Sequence, residues 1–343
     1  MGIDPVGWGI LSTADINRKV IPGAHASEKV SLLAVASRDQ ARAEDYAREW
    51  EIPRAYGSYE ALLADDHVEA VYISLPNSMH VDWSIRALEA GKHVLCEKPL
   101  ATSPEDAARC FDAAEAAARV CVEGLMWRHH PQTTLAGQLV ADGAIGRLAT
   151  VRAALSVSVE PGDIRRSVAL GGGALGDLGC YCVSAVRLFA GEPERVWAEQ
   201  VPDGPGGVDL RVAATLRMPD DVLAQFGVGL DLPRRDELEL VGTEGKLTLP
   251  DPWLCRPDHL ELERDGDLER LPADPDGTFG LTDPDHDVYR IELDTVSAAI
   301  AAGDELPFSG PDAVAQATVL QALRHSADLA APVDLTPGGQ GRR

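Results

Sequence analysis

The first 16 residues constrain the fold most, because they read as an apolar strand, a turn and the start of a helix. Gly7 and Gly9 lie in this run. Glycines of a dinucleotide fingerprint allow a tight turn and a close approach of the backbone to a pyrophosphate. Ser12 stands in the place of the third glycine. We predict a dinucleotide site at this turn, with contacts from Gly9, Ser12, Thr13 and Ala14.

The end of the second predicted strand, residues 30–37, indicates which dinucleotide is bound. In dinucleotide-binding folds this strand end reads the ribose of the adenosine. Ser37 and Arg38 offer a hydroxyl and a guanidinium there, which suit a ribose 2′-phosphate. An acidic residue would suit a free 2′-hydroxyl, and Asp39 follows directly. The sequence therefore favours NADP(H), with NAD(H) as the alternative.

Strands and helices then alternate as far as about residue 123. Repeated βα units of this length predict an α/β fold with a doubly wound, parallel, Rossmann-type sheet. One strand ends at Leu75, and Asn77 and His80 follow it at the carboxyl edge, where such sheets bind ligands. We expect all three residues to contact the cofactor. For His80 an equally simple interpretation is that it begins a helix.

A lysine follows the next buried strand, in the run Glu97-Lys98-Pro99. Proline stops the strand pairing, so Lys98 is left at the ligand-binding edge of the sheet. Only five of the 31 basic residues are lysines, which makes a lysine here notable. The alternative is a surface lysine at a strand end. We expect Glu97 and Lys98 to contact the cofactor and Lys98 to take part in catalysis.

Long strand-like runs and loops rich in Pro, Gly and Asp follow residue 123. They predict a second, α+β domain with a large, open, mainly antiparallel sheet and helices on one face. The other face would expose a large apolar patch, so a homodimer or homotetramer is expected. We predict a dinucleotide-binding domain over residues 1–123 and a substrate-binding and oligomerisation domain over residues 124–343.

A glycine-rich run, residues 170–182, leads into an apolar helix of the second half. Asp177 and Tyr181 are four residues apart, so on a helix they share one face. A phenol with a pKa of about 10 is a poor base at neutral pH, but a nearby ammonium stabilises the phenolate. Lys98 could supply that charge, and Asp177 could orient the lysine or a substrate hydroxyl. The alternative is a glycine-rich turn before a core helix.

Together these segments resemble the glucose-fructose oxidoreductase, inositol dehydrogenase and rhizopine catabolism (Gfo/Idh/MocA) family. The resemblance is carried by the turn at residues 7–14, the run 70–77 with His80, the run 91–99 and the run 172–181. It implies that Arg165 and Tyr289 lie near the cofactor and that the Lys98–Pro99 peptide is cis. For Tyr289 the alternative is a tyrosine that packs its helix. Arg166 departs from the tyrosine of the family's sugar ketoreductases.

The resemblance also implies a function. Many family members carry a histidine where this chain has Tyr181. The tyrosine form is similar to glucose-fructose oxidoreductase, to dihydrodiol and xylose dehydrogenases, and to sugar ketoreductases. It implies an NADP-dependent oxidoreductase acting on an aldose, with a xylose-like sugar as first guess, or on a related polyol or diol. Tyr181 would be the acid/base, assisted by Lys98. The alternatives are an NADPH-dependent ketosugar reductase and a non-catalytic dinucleotide-binding regulatory protein.

Trp127 and Arg128, just past the predicted domain junction, are candidate substrate contacts beside Asp177 and Tyr181. An indole can stack on a sugar ring, and a guanidinium can bind its hydroxyls. A structural tryptophan before a helix-starting proline, Pro131, is an equally simple interpretation.

Charge and cysteine content limit the remaining function classes. The net charge of −24 repels nucleic-acid backbones and anionic membranes. We expect no apolar run of the roughly 18 residues that a membrane-spanning helix needs. The six cysteines show neither disulfide-framework nor metal-ligand spacing, so we expect them to be reduced and mostly buried, with no metal site. The sequence predicts a cytoplasmic enzyme that binds neither nucleic acid nor membranes.

Overall fold

The computed structural model describes residues 4–256, 259–304, 306 and 308–335, which divide into two compact units. The first unit contains the chain up to His130 and, in addition, Thr282–Val314. The second contains Pro131–Leu281 and the chain from Ala315 onward. This division differs from the one predicted after residue 123, which does not anticipate that Thr282–Val314 returns to the first unit.

The first unit is built on a parallel sheet. Its strands are β1 (Val6–Leu11), β2 (Val30–Ala36), β3 (Arg54–Tyr56), β4 (Ala70–Ile73), β5 (His93–Glu97) and β6 (Cys121–Gly124). Their order is β3-β2-β1-β4-β5-β6, and every neighbouring pair is parallel. From β1 the chain continues to β2 and β3 on one side of the sheet, and from β4 it continues to β5 and β6 on the other side. This is the predicted doubly wound sheet, whose ligand crevice lies where the direction reverses, beyond the ends of β1 and β4.

Helices cover this sheet. They are α1 (Asn17–Ala26), α2 (Gln40–Glu49), α3 (Tyr59–Leu63), α4 (His80–Glu89) and α5 (Pro104–Ala117). The start of α5 follows the capping rule: the Ser103 hydroxyl accepts from the Asp106 N–H over 3.1 Å, and Pro104 takes the first helical position. Every residue of β1 and of β4 is buried, as expected for central strands with helices on both faces.

The second unit contains a larger sheet, and its helices include α6 (Pro131–Ala141) and α7 (Cys180–Ala190). Its strands are β7 (Leu148–Ser158), β8 (Arg195–Pro202), β9 (Asp209–Arg217), β10 (Leu223–Gly229), β11 (Asp231–Gly242), β12 (Gly245–Leu249), β13 (His259–Arg264), β14 (Asp267–Pro272) and β15 (Val333–Asp334). Their order is β14-β13-β12-β11-β7-β10-β9-β8-β15. All neighbouring pairs are antiparallel except β7 with β10. The predicted large, mainly antiparallel sheet is confirmed.

The two faces of the larger sheet differ in polarity. Along β9, for example, Leu210, Val212 and Leu216 are buried, whereas the alternate residues Arg211 and Arg217 are exposed. Helix α7 contacts β7 and contributes to the covered face.

The uncovered face is less apolar than the sequence analysis assumes. Trp197 and Leu223 are exposed there, but Arg152, Gln225 and Glu237 occupy other outward positions. The expectation of one large apolar patch is therefore wrong, because alternate positions of these strands carry charged and polar side chains.

One segment of the second unit, Val168–Ala190, is apolar and long enough to cross a membrane by length and composition, which the sequence analysis does not anticipate. Most of its apolar stretch is buried inside the protein. A helix buried to this extent is typical of a protein core.

Two helices complete the fold, α8 (Asp287–Ala302) and α9 (Gly310–Leu329). Helix α8 belongs to the first unit, where it packs on α1. A Cβ at Gly23 would lie 2.8 Å from the Arg290 nitrogen, so the absence of a side chain permits this close approach. In addition, the Trp8 indole N–H donates to the Ser297 hydroxyl over 3.0 Å. These contacts explain why residues far along the chain complete the first unit.

Candidate functional site

The turn after β1 is centred on Ser12, the residue in place of the third fingerprint glycine. Its φ of 140° lies in the region that favours glycine. Hydrogen bonds hold it there: Ser12 Oγ accepts from the Ala14 N–H over 3.1 Å and lies 2.8 Å from Ser74 Oγ. The Asn17 side chain also donates to the Ser12 carbonyl. Hydrogen bonds of the Ser12 hydroxyl and carbonyl therefore stabilise a backbone conformation that glycine adopts most readily.

Gly7 and Gly9 have a different role from the one expected. Both lie inside β1 rather than in the turn. A Cβ at Gly7 would lie 2.3 Å from the His67 carbonyl oxygen, and one at Gly9 would lie 2.8 Å from the Leu62 side chain. These glycines are required for close packing around the strand, and Gly9 does not form the turn itself.

The polar residues at the end of β2 differ in their burial and in their hydrogen bonds. Ser37 is buried directly after the strand. Asp39 is the N-cap of α2, since its carboxylate accepts from the Arg42 N–H over 2.8 Å. One oxygen of that carboxylate therefore caps the helix. This structural role weakens the sequence argument for NAD(H).

Two guanidinium groups lie close to the phenol of Tyr59. Burial raises the pKa of Tyr59, and the charges of Arg38 and Arg42 oppose that rise. Arg42 also reaches the turn after β1, where its Nε donates to Thr13 Oγ1 over 2.7 Å. Arg42 is a residue that the sequence analysis missed. Its position in the first turn of α2, four residues after Arg38, is the signal that could have identified it.

His80 begins α4, as the simpler interpretation states, and it is fully buried. Its Nδ1 lies 2.8 Å from the Pro99 carbonyl oxygen and its Nε2 lies 2.8 Å from the Leu75 carbonyl oxygen. Burial lowers the pKa of His80, while the two carbonyl groups oppose that shift. Because both ring nitrogens face backbone carbonyls, His80 joins the loop after β4 to the loop after β5 rather than presenting a nitrogen to a cofactor.

Glu97 ends β5, is partly buried and accepts a hydrogen bond from a buried tyrosine. The Tyr72 hydroxyl donates to Glu97 Oε1 over 2.5 Å, and the Lys98 backbone N–H donates to Oε2 over 3.3 Å. Burial, with the charge of Glu97, raises the pKa of Tyr72 well above its ordinary value. The Lys98–Pro99 peptide is cis, as the resemblance implies.

Helix α8 brings two further groups into the first unit. Tyr289 and Glu292 are both buried on it. Burial, together with the charge of Glu97, raises the pKa of Glu292 well above its ordinary value, which favours a neutral carboxyl. The first unit thus contains Tyr289. It also contains the candidate residues at or near the ends of β1, β2, β4 and β5, namely Ser12, Thr13, Ala14, Ser37, Arg38, Leu75, Asn77, Glu97 and Lys98.

In the second unit, Asp177 and Tyr181 lie on consecutive turns of one helical segment. A single π-helical turn, Leu175–Gly179, precedes α7 and is entirely buried. Such turns are rare and are often found at functional sites. Both Asp177 and Tyr181 are more than nine-tenths buried. The buried Gln316 amide holds this segment, since its Nε2 donates to the Cys180 carbonyl over 2.7 Å.

Trp253 packs against Tyr181 and is a second residue that the sequence analysis missed. The two ring centroids are 5.7 Å apart at an interplanar angle of 60°. The indole is fixed by its own N–H, which donates to the Ala154 carbonyl over 3.0 Å. Trp253 lies in an irregular segment after β12, so no periodic pattern marks it in the sequence.

Arg165 and Arg166 lie in a short helical turn, Ile164–Arg166, and each is paired with a carboxylate. Arg165 forms two hydrogen bonds with Asp163, of 2.9 and 2.7 Å, and its side chain remains 37% exposed. Arg166 binds Asp203 in the same bidentate way. Part of the Arg165 side chain is therefore accessible, and its contact with the cofactor stays a prediction.

Trp127 and Arg128 are buried in the first unit. Arg128 forms an ion pair of 2.5 Å with Asp312, and its guanidinium lies 3.8 Å from the ring centroid of Phe308. Pro131 begins α6. These contacts support the structural interpretation of this segment over the substrate contacts expected of Trp127 and Arg128.

Two family models match the chain. The model described as an oxidoreductase family with an NAD-binding Rossmann fold matches residues 6–125. The GFO/IDH/MocA C-terminal domain matches residues 133–248. Together they cover most of the sequence.

Individual relatives match over nearly their whole length. D-xylose 1-dehydrogenase (NADP(+)) 2 of Haloferax volcanii is 38% identical over 334 residues, covering 96% of this chain and 99% of the relative. A dTDP-3,4-didehydro-2,6-dideoxy-alpha-D-glucose 3-reductase of Streptomyces violaceoruber is 35% identical, covering 94% and 95%. The crystal structure of KijD10, a 3-ketoreductase from Actinomadura kijaniata in complex with NADP and TDP-benzene, is 31% identical with a TM-score of 0.84, covering 94% and 98%. The chain therefore belongs to the GFO/IDH/MocA oxidoreductase family.

Proposed function

We propose that the protein is an NADP(H)-dependent oxidoreductase that oxidises an aldose, a xylose-like sugar first, at its anomeric carbon to a lactone. The observation that carries this proposal is the buried pair of Asp177 and Tyr181 on one helical segment, with the Trp253 ring against Tyr181. Such a site offers a hydrogen-bonding carboxylate and a proton-transferring phenol, and the buried Trp253 ring helps to hold that phenol in place.

The residues at the end of β2 fit NADP(H) better than NAD(H). Arg38 and Arg42 place two positive charges near Tyr59, and the carboxylate of Asp39 is occupied as a helix cap. The first turn of α1 contains no acidic side chain, so the positive end of the helix dipole suits a pyrophosphate. A relative described as NADP(+)-dependent and a solved relative in complex with NADP support the same choice.

The chemistry would be shared between the cofactor and three side chains, those of Tyr181, Lys98 and Asp177. When bound, the nicotinamide supplies hydride acceptance or donation. Tyr181 takes the proton of the substrate hydroxyl during oxidation and returns it during reduction. Lys98 stabilises the phenolate of Tyr181 by its charge. Asp177 orients the reacting hydroxyl, and Glu97, Asn77, Arg165 and Tyr289 are proposed to bind the cofactor.

A second candidate is the NADPH-dependent reduction of a ketosugar. The relatives that carry this name and the solved 3-ketoreductase favour it. The chain differs from the family's ketoreductases at Arg166, whose guanidinium is paired with Asp203. That difference and the xylose dehydrogenase relative support the aldose as the first candidate.

A paired activity screen tests the proposal. NADP+ reduction is measured with a panel of aldoses, polyols and diols, and NADPH oxidation is measured with ketosugars. We expect NADP+ reduction with a pentose, accompanied by lactone formation. Activity confined to NADPH with a 3-ketosugar would replace the first candidate by the second. Binding of NADPH without turnover of any of these compounds would favour a regulatory protein.

We also propose a homodimer or homotetramer that acts in the cytoplasm. The support for a reducing compartment is that all six cysteines are free and buried. The support for assembly is the uncovered face of the large sheet, with Trp197 and Leu223 exposed on it.

A further inference from the structure

Asp209 is an acidic residue of the second unit that belongs neither to the proposed catalytic set nor to the proposed cofactor-binding set. It is the first residue of β9 and is partly buried. Its Oδ2 accepts a hydrogen bond from the Leu175 N–H over 2.5 Å. Leu175 begins the π-helical turn that contains Asp177. One carboxylate therefore connects the large sheet to the segment that carries the candidate acid/base.

The glycine-rich turn before this segment is shaped around Asp209. Gly173 has a φ of 127°, and a Cβ there would lie 2.2 Å from Asp209 Oδ1. On the opposite side, a Cβ at Gly172 would lie 2.3 Å from the Arg165 carbonyl oxygen. The Gly173 N–H donates to that same carbonyl over 2.9 Å. The turn is thus held between Asp209 and Arg165, and both glycines are needed for space.

The contact also satisfies the start of the helical segment. N–H groups at a helix start lack partners within the helix, and a carboxylate is a favourable acceptor for them. The next hydrogen bond along the chain, from the Asp177 N–H to the Gly173 carbonyl over 2.9 Å, sets the first turn. Tyr181 follows one turn later on the same continuous segment. A shift at Leu175 would therefore be transmitted along the backbone to Tyr181.

We propose that Asp209 is a positioning residue, which fixes the Gly171–Leu175 turn and thereby the place of Asp177 and Tyr181. The inference rests on the proposed function, because it assigns Tyr181 the proton transfer that Asp209 supports. A displacement of about 1 Å at a reacting group can lower turnover by as much as about 100-fold. Asp209 binds the backbone of Leu175, so we expect its effect on Asp177 and Tyr181 to pass through this segment.

The test compares Asp209→Ala with the conservative Asp209→Asn, whose amide oxygen can still accept from the Leu175 N–H. Asp231→Asn is the matched control, since Asp231 lies in the same sheet but pairs with the exposed Arg211. We expect Asp209→Ala to lower kcat at least tenfold, with the Kd for NADPH within threefold of the parent. Asp209→Asn should recover kcat to within threefold, and the control should match the parent.

Two further measurements separate this inference from the function on which it rests. Hydrogen exchange should accelerate at least tenfold at the Leu175 amide in Asp209→Ala, whatever the reaction is. In a Tyr181→Phe background, Asp209→Ala should lower kcat less than threefold, because the group it positions is already absent. Unchanged exchange at Leu175, parental kcat in Asp209→Ala, or an equal loss of kcat in both backgrounds would overturn the inference. Parental kcat in Tyr181→Phe alone would overturn the proposed mechanism, and the exchange result would then decide whether Asp209 fixes the turn.

Discussion

The Nε of Arg42 donates to the Thr13 hydroxyl over 2.7 Å, so the helix after the second strand is tied to the turn after the first. Together with Arg38, Arg42 is expected to bind a ribose 2′-phosphate. We predict that Arg38→Ala and Arg42→Ala each raise the Kd for NADPH at least about tenfold, since a hydrogen bond to a charged group contributes about 1.5–3 kcal/mol. The Kd for NADH should change less than threefold. Fluorescence titration measures both constants.

Arg48→Ala is the control for these variants, because Arg48 lies on the same helix and pairs with the exposed Asp45. It should leave both dissociation constants unchanged. Equal affinity of the parent protein for NADPH and NADH would contradict the assignment of Arg38 and Arg42 to the phosphate.

The catalytic proposal predicts that Tyr181→Phe and Lys98→Ala each lower kcat at least about 100-fold, because a placed acid/base contributes about 10² to 10⁴ in rate. The double variant should be scarcely slower than either single variant, since the two groups act on one proton transfer. The Kd for NADPH should stay within a few fold. Steady-state kinetics with the best substrate of the screen, together with cofactor titration, provide these values.

The matched controls are Tyr46→Phe, in helix α2 of the first unit, and Lys29→Ala, at an exposed lysine. Both should retain parental kcat. A Tyr181→Phe enzyme with parental turnover on every accepted substrate would falsify the proposed acid/base.

How far the sequence could predict this protein depends on the kind of signal. The doubly wound parallel sheet and the large, mainly antiparallel sheet follow from local periodicity, and both are confirmed. Motif order also identified the family correctly. The strands β13 and β14 were not predicted, and the return of α8 to the first unit depends on contacts between residues nearly 300 positions apart, such as Trp8 with Ser297.

Single side chains at the site were harder to predict than strands. Gly9 and His80 match positions of cofactor-binding motifs, yet Gly9 packs against Leu62, and His80 holds two backbone carbonyls. A motif gives the position of a residue along a strand or loop, but the direction of its side chain depends on neighbours distant in sequence. For the same reason Trp253 and Asp209 carried no sequence signal, although both contact the segment that contains Tyr181.

The burial of Arg128 leads to a prediction about stability. Its side chain is 4% exposed, and it forms an ion pair with Asp312. Removal of one partner of a buried pair leaves the other charge poorly compensated and costs about 3–5 kcal/mol. We expect Arg128→Ala to lower the free energy of unfolding by about 3 kcal/mol, near the lower value because Asp312 is partly exposed. Urea denaturation measures this change.

The exposed pair of Arg109 and Asp106 provides the comparison, and Arg109→Ala should cost below about 0.5 kcal/mol. Parental stability in Arg128→Ala, combined with a raised KM for the sugar, would instead favour a substrate contact for Arg128.

Two histidines should make the protein less stable in mild acid. Burial lowers the pKa of His93 to about 4, and burial with the charge of Arg128 lowers that of His129 to about 4. The Val120 N–H donates to His93 Nδ1, which requires an unprotonated nitrogen. Between pH 6.5 and 4 the unfolded state therefore binds protons that the folded state does not, so stability falls as the pH falls. Each group contributes at most about 1.4 kcal/mol per pH unit.

Urea denaturation at several pH values between 4.5 and 7.5 measures this dependence. His93→Gln and His129→Gln should each show a shallower loss of stability with acid than the parent. Curves parallel to that of the parent would show that these imidazoles titrate alike in the folded and unfolded states.

The last prediction concerns assembly through the uncovered face of the large sheet. Leu223 is 43% exposed on this face, next to charged positions such as Arg152. A lysine at the centre of an interface would bury an unpaired charge, which is strongly unfavourable. We expect the parent to be a dimer or tetramer at micromolar concentration by light scattering, and Leu223→Lys to reduce the mass toward that of one chain. Leu329→Lys is the control, because Leu329 is 57% exposed at the end of α9 and lies outside the sheet. A parent that has the mass of one chain across the tested range would contradict the assembly, and an unchanged oligomer in Leu223→Lys would place its interface on another surface.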